Sequence, residues 1–158
     1  MTSEQPFAAV IRLPFAMVGI TTGNNAISRI EFLPFDYPEQ AATDLLARRC
    51  ATALHHYVDD PTWPLELPVL LQGTEHQQRV WQALQTLPSG KTISYGALAK
   101  TLGSGARAIG NACRRNPVPL IVPCHRVIAK QGIGGFAGDR NGGQTSIKQW
   151  LLRHEGAL

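Results

Sequence analysis

"KTISYGALAKTLGSGARAIGNACRRNP", Lys91 to Pro117, reads as two short helices joined by a glycine-bearing turn. Ser94 supplies an N-cap, Leu98 and Leu102 share one face, and Gly103 stops the first helix. The second helix takes Ser104 as its cap and halts at Asn116, because a residue before proline is pushed out of the helical region. Two helices joined in this way predict a helix-turn-helix. In the second, Ala106, Ile109 and Cys113 recur at i, i+3, i+7 and are expected to face inward, with Arg107, Asn111, Arg114 and Arg115 on other faces. Ala108, Gly110 and Ala112 keep that helix thin, as approach to a minor groove only about 6 Å wide requires. The same pattern fits a solvated surface helix beside a small-residue contact equally well.

Upstream, "GTEHQQRVWQALQTLPSG" is a helix opened by a capping box of Thr74 and Gln77, with Val80, Trp81 and Leu84 inward and Pro88 and Gly90 at its end. "DPTWPLELPVL", with Pro61, Pro64 and Pro68, reads as the connection between two units. Before it, Leu45, Leu46, Arg49, Cys50, Ala53, Leu54 and Tyr57 stand at helical spacing until Pro61. From Phe7 to Phe35, short apolar runs separated by Pro14 and by Gly23-Asn24-Asn25 predict two or three antiparallel strands. The expected class is therefore α/β of the α+β kind. Residues 1–70 form a small antiparallel sheet with a helix, and residues 73–158 a mostly helical, winged-helix-like helix-turn-helix domain.

A net charge of +4 tilts the chain toward a polyanionic partner without deciding it. Three cysteines, Cys50, Cys113 and Cys124, include no CxxC pair, which argues against a disulfide framework and a zinc ribbon and fits a reducing compartment. The start "MTSEQPFAAVIRLPF" lacks a basic segment followed by a long apolar core, and no apolar run approaches the roughly 18 residues of a membrane span. A cytoplasmic protein with no membrane partner is expected.

"NPVPLIVPCHRVIAK", Asn116 to Lys130, sets Cys124 beside His125 in an apolar, proline-spaced segment. A cysteine attacks as thiolate and needs a base or a cation nearby. Neighbours in an extended segment point to opposite sides, so contact between thiol and imidazole requires a turn or a bridging water. Taken alone, the pair is better described as a buried cysteine beside a hydrogen-bonded core histidine.

Together with "ISYGALA", "ARAIGNACRRN" and "IKQWLLRHEG", this stretch resembles the O6-alkylguanine-DNA alkyltransferases, from about Gly73 to Gly156. The resemblance implies a ribonuclease H-like N-terminal domain and a single-turnover repair protein. Such a protein moves an alkyl group from O6-alkylguanine, and O4-alkylthymine as well, in double-stranded DNA to its own cysteine, after flipping the base. By the same resemblance Cys124 is the alkyl acceptor, His125 a water-mediated base, and Glu155 the carboxylate that orients it. Asn116 ties the turn after the recognition helix to the cysteine loop, and Tyr95 donates toward N3 of the departing guanine. Lys148 matches a lysine near the pocket, although position alone reads as an exposed lysine on a C-terminal helix. Arg107 matches a finger that fills the gap left by the flipped nucleotide, and Tyr95, Ser94, Gly96, Ala108, Gly110 and Arg114 join it on the DNA face. No cofactor and no metal are implied, and the protein is expected to act as a monomer.

The chain also departs from that pattern. Phe136 and Ala137 stand where relatives show tyrosine and serine, and the loop around Asp139 to Gly143 is longer by about four residues. His76 replaces a frequent phenylalanine, and Cys50, His55 and His56 have no second cysteine at zinc-ligand spacing. Cys50 and Cys113 are read as packing residues. A non-catalytic alkyltransferase-like lesion binder would carry another residue at position 124. A papain-like hydrolase would place its histidine far from its cysteine.

Overall fold

The computed structural model describes residues 6–130 and 143–158. The expectations for Phe136, Ala137 and residues 139–142 fall outside them. The chain divides into two compact units, Met1–Leu71 and Gln72–Leu158.

In the first unit, β1 (Ala9–Leu13), β2 (Ala16–Gly23) and β3 (Ala26–Leu33) form an antiparallel meander in that order. The β2–β3 turn is Asn24-Asn25, with φ of 53° and 59°. Two consecutive positive φ angles give the type I′ geometry that matches the twist of a hairpin, and asparagine tolerates them. Helix α1 (Leu45–Asp59) packs on this sheet through Ala47, Cys50, Leu54 and Tyr57. Leu45, though part of the run at helical spacing, is 70% exposed. Asp44 caps the helix by accepting from the Ala47 N–H, which makes Leu45 its first residue, roughly 200° around the axis from Ala47. The proline-rich segment does more than connect. Pro68 O accepts from Ile27 N, Leu70 N donates to Ile27 O, and so Val69 extends the edge of β3. Proline donates nothing to a ladder, but its carbonyl accepts.

The second unit begins with α2 (Glu75–Gln85), where both halves of the Thr74–Gln77 capping box are present and Val80, Trp81 and Leu84 are buried. The helix-turn-helix is α3 (Tyr95–Leu102) and α4 (Ala106–Arg114). Ser94 caps α3 by accepting from Ala97 N, and Gly103 ends it with φ of 64°, the left-handed conformation that glycine adopts without strain. Ser104 does not cap α4: the N-cap is Gly105, with no side-chain hydrogen bond, and the Ser104 hydroxyl lies 2.8 Å from His76 Nε2. A partner on α2 has taken the oxygen that local sequence assigns to the cap. With Arg79 Nη2 donating to Leu102 O, α2 holds the turn at two points. Ala106 is exposed, and the inward face of α4 is Ile109, Ala112 and Cys113. Ala112 is buried, and its carbonyl accepts from the indole N–H of Trp81, at 2.9 Å. Trp81→Phe strips that carbonyl of its partner in a dry site and should destabilise the unit by about 1–3 kcal/mol. Urea denaturation followed by circular dichroism will measure the shift.

Two short strands, β4 (Ile93–Ser94) and β5 (Val127–Ile128), pair in parallel and bring the start of α3 against the segment that follows His125. The C-terminal helix α5 (Gly143–His154) completes the unit, and its inward stripe includes Ile147, Leu151 and Leu152.

Candidate active site

The segment around Cys124 is not extended. Val122 N donates to Val118 O, closing a turn in which Leu120 takes φ of 77°. A left-handed leucine costs about 1–2 kcal/mol, which burial of its side chain offsets. Residues Cys124–Arg126 then form one 3-10 turn. The opposition of neighbouring side chains expected of a strand therefore does not apply.

Cys124 is 4% exposed, and burial pushes its thiol up to about 11 against the opposing pull of an Asn116 hydrogen bond and the Lys148 cation. At neutral pH the sulfur is protonated. Asn116 stands just past α4, its Nδ2 donating to Val122 O at 2.8 Å and its Oδ1 accepting from Val118 N at 3.0 Å. One side chain thus bonds both ends of the loop that leads to the cysteine.

His125 is 1% exposed, with Nε2 lying 2.8 Å from Glu155 Oε2. Desolvation lowers its pKa and outweighs the opposing effect of Glu155, so the ring is neutral. A carboxylate only accepts, so Nε2 carries the proton and Nδ1 presents a lone pair. Nδ1 is buried with no hydrogen-bond partner among the described residues. Glu155 follows α5, where Gly156 at φ of 76° and the bond from Ala157 N to Leu152 O turn the chain away from the helix.

Arg126 holds the other side of this carboxylate, with Nε 2.9 Å from Oε1 and Nη2 2.9 Å from Oε2, while Nη1 donates to Leu87 O. The sequence alone assigns it no role. Its only local signal is a position next to His125.

Lys148 is fully buried, not exposed. It sits at i of an i, i+3, i+4, i+7 stripe with Leu151, Leu152 and Glu155, a spacing legible in the sequence. Its Nζ donates to Val127 O at 2.7 Å and lies 5.7 Å from the ring centroid of Tyr95. Burial lowers it to about 8, with the Cys124 and Cys113 thiols acting the other way. Tyr95 itself is half-buried at the start of α3.

The remaining predicted residues lie along the helix-turn-helix. Gly96, Arg107 and Arg114 are exposed, Ala108 and Gly110 are half-buried, and the Ser94 hydroxyl serves the α3 cap. A Cβ added at Gly96 or Gly110 would meet nothing within 4 Å, so the surface there is open. Cys50 and Cys113 are buried, and desolvation pushes both thiols up. Among the described residues, no three His, Cys, Asp or Glu side chains group to hold a metal ion, and no helix is long and apolar enough to cross a membrane.

The family profile for the DNA-binding domain of 6-O-methylguanine DNA methyltransferase matches residues 75–157. The chain belongs to this family. In the methylated-DNA–protein-cysteine methyltransferase of Shigella flexneri, 95 residues align at 48% identity, 58% of this chain and 53% of that protein. The methyltransferase of the same name from Cricetulus griseus aligns over 133 residues at 39% identity, 78% of this chain and 59% of that protein. The chain thus spans little more than half the length of these methyltransferases. The crystal structure of Mycobacterium tuberculosis O6-methylguanine methyltransferase superposes with a TM-score of 0.76 at 31% identity, covering 92% of this chain and 90% of that one. A structure of the Mycobacterium tuberculosis protein in complex with DNA superposes with a TM-score of 0.74, also at 31% identity, covering 94% and 92%. The methyltransferase fold is therefore that of both units.

Proposed function

We propose that this protein repairs alkylated duplex DNA by taking the alkyl group from O6 of guanine onto Sγ of Cys124. One observation carries the reading: a buried thiol precedes a neutral imidazole anchored on a carboxylate, in the same unit as an exposed arginine-bearing helix. A thiol near 11 must lose its proton as it attacks. Nδ1 of His125 receives that proton through a water, and Glu155 stabilises the imidazolium that forms. The sulfur–carbon bond forms as the carbon–O6 bond breaks, and the electron pair leaves on guanine, spread over O6 and N3. The Tyr95 hydroxyl donates to N3, the nearby Lys148 cation favours both anions, and the proton finally rests on guanine N1. A thioether sulfur is a poor leaving group, so each chain acts once. The same displacement extends to O4-alkylthymine.

An alkyl group on O6 is shielded inside the base stack, so the base must swing out at a cost of roughly a few kcal/mol. Arg107 enters the space it leaves, and the small residues Gly96, Ala108 and Gly110 let the backbone approach the groove while Arg114 meets phosphate. The protein works as a monomer on lesion-bearing duplex.

Incubation with duplex containing O6-methylguanine should add one methylene unit to the intact mass of the chain; an unchanged mass with the lesion still present would sink the proposal. Arg107→Ala should slow transfer from duplex about 10- to 100-fold, equivalent to roughly 1.4–2.8 kcal/mol, and slow transfer from the isolated nucleobase much less. Equal losses on both substrates would instead mark a damaged fold.

A further inference from the structure

We propose that Arg126 is a positioning residue for alkyl transfer: its fork on Glu155 keeps His125 uncharged, with the Nδ1 lone pair available to the thiol's proton. The inference rests on the transfer reading above. Both oxygens of Glu155 are engaged, Oε1 by Arg126 Nε, and Oε2 by Arg126 Nη2 and His125 Nε2. The guanidinium is held at a third point by the carbonyl of Leu87, beyond the end of α2. Lysine offers one ammonium and cannot match three directions at once.

The charge count explains why this matters. The guanidinium is permanently protonated and Glu155 is its anion, so the buried trio of Arg126, Glu155 and His125 is balanced while the ring is neutral. Without Arg126, the side chain of Glu155, which has no solvent exposure, loses its permanent counter-charge, and His125, hydrogen-bonded to it through Nε2, is a titratable group able to supply a compensating proton. The other charged group acting on the ring is Lys148 from α5, which also opposes an imidazolium. Cys124 precedes His125 in the chain, and Cys113 on α4 is coupled electrostatically to Cys124. An imidazolium has no lone pair at Nδ1, so a ring that keeps a proton at rest accepts none from the thiol. The balance that Arg126 imposes therefore decides whether His125 is a base. A bridge serving stability alone would leave the pH dependence of transfer unchanged.

The test uses the full chain and duplex containing O6-methylguanine, with single-turnover rates followed from about pH 6 to about pH 9. Arg126→Gln should be slowed by roughly 30-fold or more at pH 7, with the deficit relative to the parent protein shrinking to within about threefold near pH 9, as the extra proton leaves. A deficit that is constant with pH, or no deficit, overturns the proposal. If the glutamine variant does not fold, Arg126→Lys decides: it should show a smaller deficit of the same pH-dependent sign, and a pH-independent one counts against the proposal. NMR titration of the His125 ring should give a higher pKa in either variant than in the parent, and an unchanged value is again fatal. Absence of alkyl transfer by the parent at every pH would remove the functional reading instead, leaving the ring titration to judge the role of Arg126.

Discussion

Cys124→Ala should abolish alkyl transfer, lowering it by at least about 10⁴-fold, because neither of the other two cysteines is placed to act as the nucleophile. Cys50 is fully buried within the first unit, its thiol pushed up to about 12. Cys113 has the same handicap of burial and is part of the inward face of α4. Only Cys124 precedes a neutral imidazole with an accepting nitrogen. Peptide mapping after exposure to O6-methylguanine duplex should find the methyl group on Cys124 alone; label on Cys50 or Cys113 would refute the assignment. Affinity for duplex should hold within about threefold, since the residue is buried while the arginines proposed to face DNA are exposed on α4.

Glu155→Ala should damage stability and chemistry together. The carboxylate is the acceptor for both nitrogens that Arg126 directs at it and for His125 Nε2. Removing it leaves a nearly buried guanidinium with no counter-charge, which destabilises by about 3–5 kcal/mol, a large share of the roughly 5–15 kcal/mol that holds a domain folded. Loss of the acceptor also frees the ring to choose either tautomer and removes the charge that stabilises the imidazolium, so transfer should fall by roughly 100-fold or more. Denaturant unfolding and single-turnover kinetics on the same preparation separate the two effects. A variant as stable as the parent, with an unaltered rate, would show that the carboxylate does neither job.

These two positions also mark how far the sequence can be read. Cys124 was found because its chemistry is written next to it, as an adjacent histidine inside a recognisable signature. Glu155 came from the same resemblance, through "RHEG". Arg126 stands two residues after that cysteine and is not legible as a site residue, because its partner lies 29 residues further on and nothing local distinguishes a paired arginine from a solvated one. Lys148 was legible in principle, at heptad-like spacing with Leu151, Leu152 and Glu155, but lysine on a surface helix is the ordinary case and only burial overturns it. Ser104 shows the reverse: a good local cap was overruled by His76, 28 residues away.

By itself the sequence determined the elements whose causes lie within about four residues: the Asn24-Asn25 turn, the Thr74–Gln77 box, the Ser94 cap and the Gly103 stop. Those are contacts of the backbone with its near neighbours, and they form where no distant partner competes for the capping group. Tertiary structure alone decided the pairing of β4 with β5, whose two residues each leave no periodicity to read, and the gathering of Arg126, Glu155, His125 and Lys148 into one dry site. Desolvation is what turns those four side chains into a charge-coupled set. It exists only after distant segments have excluded water between them.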